Sequence, residues 1–456
     1  HVGWRSAQVQ QSLGIVKPEP HFPTNTLLLA SCQRVRLHDA LTERGRGLLA
    51  LTREALVFQP DRSHPIVIPL REVTRLMAKP SRGVESAACE VCRVPPHPSL
   101  LFRFRESETV ERLLRLAEPL LSASAQSRVL PGDQETLSRF LRRTNLTDAW
   151  RNGWLSNLDY LLVVNALAGR THHDPSYYPL LPLLEVCEDA AGSATRARKL
   201  TLPVGAQRPS GQPLHHDERL RVNFSHPTAP SSAASVISAL RTLRPFNEVY
   251  QRLTSLLHPE QLSTLPASLA QLQRAPLHAA DHSYELTPEH YYVAELDQSA
   301  ATVSLRNRLE SAEVSAQLHH WIDLVFGAQQ AGRESQRATN TFHPLCYEMH
   351  SSVAWLQASS SETASEHLSA ELLFRGHLPR QLFAKPHPKR RKRSLPPPLS
   401  LALSSSASTA TAMLLLRTPP PPPPASASGQ ARAPPVPLCL LVAELEQRRA
   451  VILWQD

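Results

Sequence analysis

The sequence predicts an α+β protein in three stretches: a β-sandwich closed by a C-terminal helix, a mainly helical region with long extended connections, and a Pro/Ser-rich tail. Alternation of period two between residues 25 and 122, clearest in Leu100-Leu101-Phe102-Arg103-Phe104, marks strands. From residue 133 to 390 the apolar residues recur at helical spacing instead. The third observation is compositional. The chain holds 41 Pro against 15 Gly, and the prolines run together late, as Pro396-Pro397-Pro398 and the six residues Pro419 to Pro424.

In the first stretch, Gly47-Leu48-Leu49-Ala50-Leu51-Thr52 and Ala55-Leu56-Val57-Phe58-Gln59-Pro60 read as two strands joined by a tight polar turn. Pro65 to Leu70 and Leu100 to Phe104 add two more. Ser107 is placed to cap a helix whose Val110, Leu113, Leu114 and Ala117 share one apolar face, ending near Pro119.

In the second stretch, Asp133 suits the cap of a short helix carrying Leu137, Phe140 and Leu141. Trp150 and Trp154 precede a longer helix from Ser156 to Arg170, with Ser156 and Asp159 near a capping box and Gly169 at the C-terminal end. Leu158, Leu161, Leu162 and Asn165 form one face; Tyr160, Val164 and Leu167 form another. A helix apolar almost all round is buried. An unpaired buried amide costs about 1–3 kcal/mol, so Asn165 is expected to be fully hydrogen-bonded, the alternative being a capped or half-exposed side chain. Val314, Leu318, Trp321 and Val325 mark a further helix, with Gly327 expected as a left-handed C-cap.

The net charge of +9 is concentrated: Lys385, Lys389, Arg390, Arg391, Lys392 and Arg393 supply six positive charges in nine positions. The folded parts are then only mildly basic, and no nucleic-acid groove is indicated. The basic run is open to three readings: a nuclear-import signal, a patch for anionic lipid, or a solvated linker. Six scattered cysteines make no disulfide framework and point to a reducing compartment. Cys89 and Cys92 have metal spacing but no second pair. The adjacent His172-His173, His215-His216 and His319-His320 suit a shared ion poorly. Structural pairing of His319 or His320 with Asp323 is the better expectation. With no nucleophile elbow and no glycine-rich phosphate loop, neither an enzyme nor a cofactor is expected. No apolar run reaches the roughly 20 residues of a membrane helix, so any membrane association would be peripheral. The start at His1, without Met, suggests an excerpt of a longer chain.

Beyond Arg393, Ser-rich, Ala-rich and Pro-rich composition predicts a disordered linker over 391–437, or a docking site for a Pro-binding module. Leu438 to Ala443 and Ala450 to Trp454 read as two short strands.

Several ordered blocks resemble one family. "LESAEVSAQLHHWIDLVFGAQQAG", ending at Gly332, is similar to a stretch of the BEACH domain. "TDAWRNGWLSNLDYLLVVNALAGRTHHDPSYYPLLPLL" resembles that domain's opening, "LTLPVGAQ" and "ELTPEHYY" two middle blocks, and "PRQLFAKPHPKR" its close. The positions of this chain that carry the match are Asn157, Tyr160, Asn165, Gly169, Arg170, Asp174, Tyr178 and Pro179, then Glu310, Trp321, Asp323, Phe326, Gly327, Gln330 and Gly332, and finally Pro379, Gln381, Phe383, Pro386 and His387. The match departs in places. Ser225-His226 stands alone where the family has a longer motif, one block has no counterpart between Tyr250 and Pro276, and Gln329 replaces a Lys. "LLALTREALVFQPD" resembles the GRAM-type variant of a pleckstrin-homology (PH) domain that precedes BEACH in some members.

The resemblance implies a PH/GRAM-like domain at 25–122, a BEACH domain at 133–390 with an irregular extended core wrapped by helices, and, at 438–456, the start of a WD40-like region. It also implies a non-enzymatic scaffold in membrane trafficking (vesicle fusion or fission, lysosome-related organelles, autophagy). Such a scaffold would bind other proteins through a groove between the two domains, in the cytoplasm and peripherally on intracellular membranes. A signalling adaptor that couples a receptor to sphingolipid hydrolysis is the alternative suggested by the GRAM-like segment. Arg34, Arg36, Arg46, Arg53 and Arg62 are the residues of the first domain expected to touch anionic lipid.

Overall fold

The computed structural model describes residues 25–35, 45–61, 64–80, 87–93, 99–121, 141, 145–187, 195–207, 214–243, 285–291, 300–347, 367–368, 371–372 and 374–391. The expected helix at Asp133, the Pro-rich tail and its two terminal strands, the segment from Tyr250 to Pro276, and Arg36 and Arg62 lie outside them.

Alternating sequence builds β1 (Leu28–Val35), β2 (Arg46–Leu51), β3 (Ala55–Pro60), β4 (Ile66–Pro69), β5 (Val73–Pro80), β6 (Ala87–Arg93) and β7 (Leu100–Phe104). They form one antiparallel sheet in the order β4-β3-β2-β1-β7-β6-β5. Alternation in sequence singles out β2, β3, β4 and β7 and leaves out β1, β5 and β6; for the last two there is a physical reason. β5 and β6 are buried on both faces, with Arg75, Leu76, Met77 and Lys79 all enclosed in β5 and Ala88 to Cys92 in β6. A strand covered on both faces loses its polar beat.

The inward side chains of all seven strands meet in one apolar cluster, from Leu28 and Leu49 through Phe58, Ile68 and Leu76 to Val91 and Phe102. Helix α1 (Ser107–Ala117) closes it with Val110, Leu113, Leu114 and Ala117. Ser107 is the first helical residue and not the cap. Glu106 occupies the cap position with extended backbone, and only its carbonyl is used, by the Thr109 N–H at 3.3 Å. The helix gives way at Glu118 to a single 3-10 turn containing Pro119.

The second region contains α2 (Leu146–Arg151), α3 (Asn157–Leu167), α4 (Ala233–Arg241), α5 (Ala300–Leu309), α6 (Ala312–Phe326) and α7 (Gly332–Arg337). Two small hairpins, Glu185–Cys187 with Thr195–Ala197 and His215–Asp217 with Val222–Phe224, interrupt long irregular segments. In α3, nine of eleven residues are buried, as its all-round apolarity requires. Ser156 caps it, accepting the Asp159 N–H at 3.0 Å and donating to the Asp159 carboxylate at 2.6 Å. Gly169 follows its C-terminus at φ +85°, the left-handed region a side chain disfavours.

Helix α6 is capped by Ser311, but Gly327 is not a left-handed cap. Its backbone is extended, at φ −130° and ψ −154°. Glycine is needed there for space: a Cβ would stand 2.7 Å from Asp323 Oδ1 and 2.8 Å from Asp323 Cα. The core around α3 and α6 also takes in Met77 and Cys92, so the outer face of β5 and β6 is sealed onto the helical region.

Candidate functional site

The sheet meets the helical region through charges set in otherwise apolar strands. Lys79 of β5 and Glu90 of β6 project from the same outer face and pair at 3.3 Å, their side chains 1% and 3% exposed. Lys79 Nζ also donates to the carbonyls of Ala166 (3.1 Å) and Arg170 (2.7 Å). The Ala166 carbonyl lies in the last turn of α3, where the helix dipole favours a cation, and that of Arg170 follows just beyond it. Ser99 Oγ donates to Glu90 at 3.1 Å and lies 2.9 Å from His173 Nε2. At the rim, Arg103 of β7 binds Asp174 at 2.7 Å.

The segment after α3 thus distributes its side chains in three directions. His173 and Asp174 reach the sheet. Arg170 turns into the helical region, donating to the carbonyls of Ser176 (3.3 Å) and His377 (2.6 Å). His172 pairs with Glu289 at 3.2 Å, and the Tyr178 hydroxyl donates to the same carboxylate at 2.8 Å. Burial alone would raise the pKa of Glu289. The hydrogen bond and charge of His172 outweigh it and bring the carboxyl down to about 2.

A second constellation is built by the extended strap 377–391. The strap runs along α6: Gln330 donates to the Pro379 carbonyl at 2.8 Å, Gln381 to that of Gly327 at 3.0 Å, and the Phe383 N–H to that of Phe326 at 3.1 Å. The His387 N–H then donates to Asp323 Oδ1 at 2.8 Å, and His387 Nε2 is 2.6 Å from the Tyr160 hydroxyl. Burial lowers the His387 pKa to about 4, so the ring is neutral near neutral pH. Asn157 is the hub at the far end. Its amide donates to the Leu309 carbonyl (2.7 Å) and Ser315 Oγ (2.8 Å), while its oxygen accepts from Trp150 Nε1 at 2.8 Å and from Arg390. Glu310 accepts the N–H groups of Asn157 and Leu158 at the start of α3.

The stretch that carries most of both constellations matches the Beige/BEACH domain over residues 148–308 and 297–390. The chain belongs to the BEACH family. Similar proteins include BEACH domain-containing protein A2 of Arabidopsis thaliana, 28% identical over 65% of this chain and 10% of that protein. Beige protein homolog 1 of Schizosaccharomyces pombe is 30% identical over 60% of this chain and 12% of its own length. BEACH domain-containing protein lvsD of Dictyostelium discoideum is 29% identical over 56% and 10%. The chain therefore spans about a tenth of the length of these relatives. The sheet at 28–104 precedes the part that matches the BEACH domain.

Within the BEACH region, Asn165 is buried and its amide is fully used: Nδ2 donates to the carbonyls of Leu161 and Leu180, and Oδ1 accepts the Leu180 N–H, each at 2.8 Å. Trp321 is enclosed and donates to Glu285 at 3.1 Å. Tyr178 and Pro179 are buried beside them, while Gly332, at φ +74°, and Pro386 face solvent. Asp323 does not bond His319 or His320. The His387 backbone takes its carboxylate, and the two imidazoles lie against each other with centroids 3.9 Å apart.

Of the five arginines expected to form one lipid-binding face, the three that are described, Arg34, Arg46 and Arg53, do not gather. Arg46 stands opposite Gln33 and so on the other face of the sheet from Arg34. Arg53 lies beyond the far end of β2, about 20 Å away at strand rise. The basic run is not a free linker from its start either, since Arg390 and Arg391 are built into the fold: Arg390 lies over the Trp150 ring at 5.7 Å and the Arg391 N–H donates to the Arg151 carbonyl at 2.9 Å.

Cys89 faces the sheet core and Cys92 the BEACH core, so the pair cannot share an ion. Among the described residues no group of three His, Cys, Asp or Glu could hold a metal, and no helix is long and apolar enough to cross a membrane. Ser99 and His173 have nucleophile-and-base spacing, but Glu90 bonds the hydroxyl rather than the imidazole, which is not the order that activates a serine. Sequence reasoning missed Lys79, Glu90, Ser99 and Arg103. The available signal was a charge set inside a strand of core residues, as Glu90 in "AACEVCR".

Proposed function

We propose that the chain is a non-enzymatic scaffold of membrane trafficking that recruits other proteins through a composite surface, where a PH-like sandwich and a BEACH domain act as one body. The supporting observation is the buried Lys79–Glu90 pair reaching into the carbonyl end of α3. A charge pair buried at a domain boundary tolerates little relative motion, because separation would break the bonds from Lys79 Nζ to the carbonyls of Ala166 and Arg170 across it. Two modules held in that way would offer partners a fixed surface at their rim, where Arg103 pairs with Asp174. Such a surface suits recognition, and its work is placement of partners on vesicle or lysosome-related membranes.

Proximity labelling with the intact chain in cells tests this, alongside Arg103→Glu, which reverses one charge at the rim. The wild type is expected to mark vesicle fusion and fission proteins, with part of that set lost in the variant. Receptor tails and sphingolipid hydrolases in their place would favour the adaptor reading. Turnover of an ester, sphingolipid or nucleotide by the purified chain, abolished by one substitution, would overturn the non-enzymatic one.

A further inference from the structure

Trp154 is 64% exposed, the largest aromatic left in solvent among the described residues. It stands in the turn between α2 and α3, just after Gly153 at φ +79°, and its N–H donates back to the Ala149 carbonyl at 2.9 Å. An indole held outward by a hydrogen-bonded turn between α2 and the buried α3 is not serving the core; Trp150, four residues earlier, does that.

The strap brings positive charge to the same edge. The Arg391 N–H is fixed to the Arg151 carbonyl, and its guanidinium donates to Asn152 Oδ1 at 3.1 Å, two residues from Trp154. Over 389–391 exposed and inward side chains alternate. Arg390 points inward to Asn157 and Trp150, while Lys389 and Arg391 are exposed, as is Lys385. Among the described residues none of these three outward cations has an acidic partner within ion-pair distance. The acids near these cations include Asp148 on α2, Asp159 on α3, engaged with Ser156, Glu310 beneath Arg390, and Asp323 on α6, which accepts the His387 N–H. Lys389 also faces His319 and His320, both held toward the neutral form first by burial and further by Lys389, with the Asp323 carboxylate opposing this at His320.

We propose that Trp154 with Lys385, Lys389 and Arg391 forms a contact edge for an anionic phospholipid bilayer. The argument is one of complementary chemistry. Lys and Arg near an anionic leaflet are drawn to it, and an indole partitions to the headgroup level with its apolar body toward the acyl chains and its N–H toward water. A soluble acidic peptide would use the cations but gives no reason to hold an exposed indole beside them. The inference deepens the trafficking reading by naming what the domain rests on. It does not depend on the sheet–helix rim.

Co-sedimentation of the intact 456-residue chain with vesicles tests it, using phosphatidylcholine alone and phosphatidylcholine with phosphatidylserine. Binding is expected only with phosphatidylserine. It should weaken about fivefold for each cation removed in Lys385→Ala/Lys389→Ala/Arg391→Ala. It should also fall in 1 M salt, where the Debye length shrinks to about 3 Å. Trp154→Ala should lower it at unchanged charge. All four residues are exposed, so the variants should melt with the wild type, and Arg46→Ala/Arg53→Ala in the sheet should bind as before. Unchanged sedimentation of either strap-edge variant overturns the proposal. So does loss through the sheet arginines instead, or equal capture of wild type and Trp154→Ala by polyglutamate. Failure here would leave the protein-labelling pattern of Arg103→Glu untouched, so the two readings fail separately.

Discussion

The sheet and the BEACH region solve the same problem in opposite ways. Inside the sheet, the core facing α1 is made of Leu, Val, Phe, Ile, Ala and Cys, because strand pairing already satisfies the backbone. Inside the BEACH region, long segments have no ladder to join, and buried side chains do that work. Gln207 donates to the carbonyls of Lys199 (2.9 Å) and Leu202 (3.2 Å); Asn340 serves Leu324 and Gln329, each at 2.9 Å. Arg198 binds the Leu183 carbonyl at 3.2 Å and Glu285 at 2.7 Å. The lesson is that irregular backbone can be buried when polar side chains stand in for the missing strands.

The comparison can be broken most forcefully at Trp321. Its removal leaves a cavity and strips one hydrogen bond from buried Glu285, so Trp321→Ala should cost about 3–5 kcal/mol or more in chemical denaturation. Wild-type stability in that variant would place Trp321 outside the core's support.

Lys79→Met comes next, at about 3–5 kcal/mol, because Glu90 would stay buried without its cation. Lys79→Met/Glu90→Gln should recover part of the loss. If the two regions are one cooperative unit, the single variant should also let proteolysis separate them, whereas the wild type should resist as one body.

The two regions should also part on acidification. Burial holds His290 and His387 near pKa 4, below the ordinary 6.5. The unfolded chain therefore takes up protons first. The stability from the neutral rings is complete above about pH 6.5 and is lost as the pH falls through that value toward 4. The expected loss is on the order of 3 kcal/mol for each ring. Glu289 acts lower, between its usual 4.5 and about 2. Hydrogen exchange across this window should open the BEACH helices before the strand core; equal opening of both would refute the contrast.

The mildest test is Asn165→Leu. Although more apolar, leucine would strand the Leu180 N–H and the carbonyl of Leu180, at about 1–3 kcal/mol. A neutral effect on denaturation would show that the irregular chain does not need this bridge.

How much was legible follows the same division. β3 and β7 fall where alternation places them, and α3 could be read as buried from its apolar faces, because local periodicity reports local geometry. β5 and β6 could not be read in that way, since burial from both sides removes the contrast on which the pattern depends. The ordered blocks beginning near Trp150 and Trp321 were sufficient to indicate the family, and the profile match agrees. The site was legible as a set of residues and not as a geometry. Nothing in the order of the chain says that Lys79 ends on the carbonyls of α3, or that Asp323 accepts the His387 backbone instead of the neighbouring His320.

The sequence by itself determined the division into an alternating stretch, a helical stretch and a Pro-rich tail, and the family of the helical stretch. Each of these rests on patterns a few residues long. Only the tertiary structure decided which polar side chains serve which backbone groups, because the partners stand far apart in sequence: 91 positions from Lys79 to Arg170 and 227 from Tyr160 to His387. It also decided that Arg390 is a half-buried strut while Lys389 and Arg391 face water. One composition covers all three, and the alternation of the strap along a folded surface separates them.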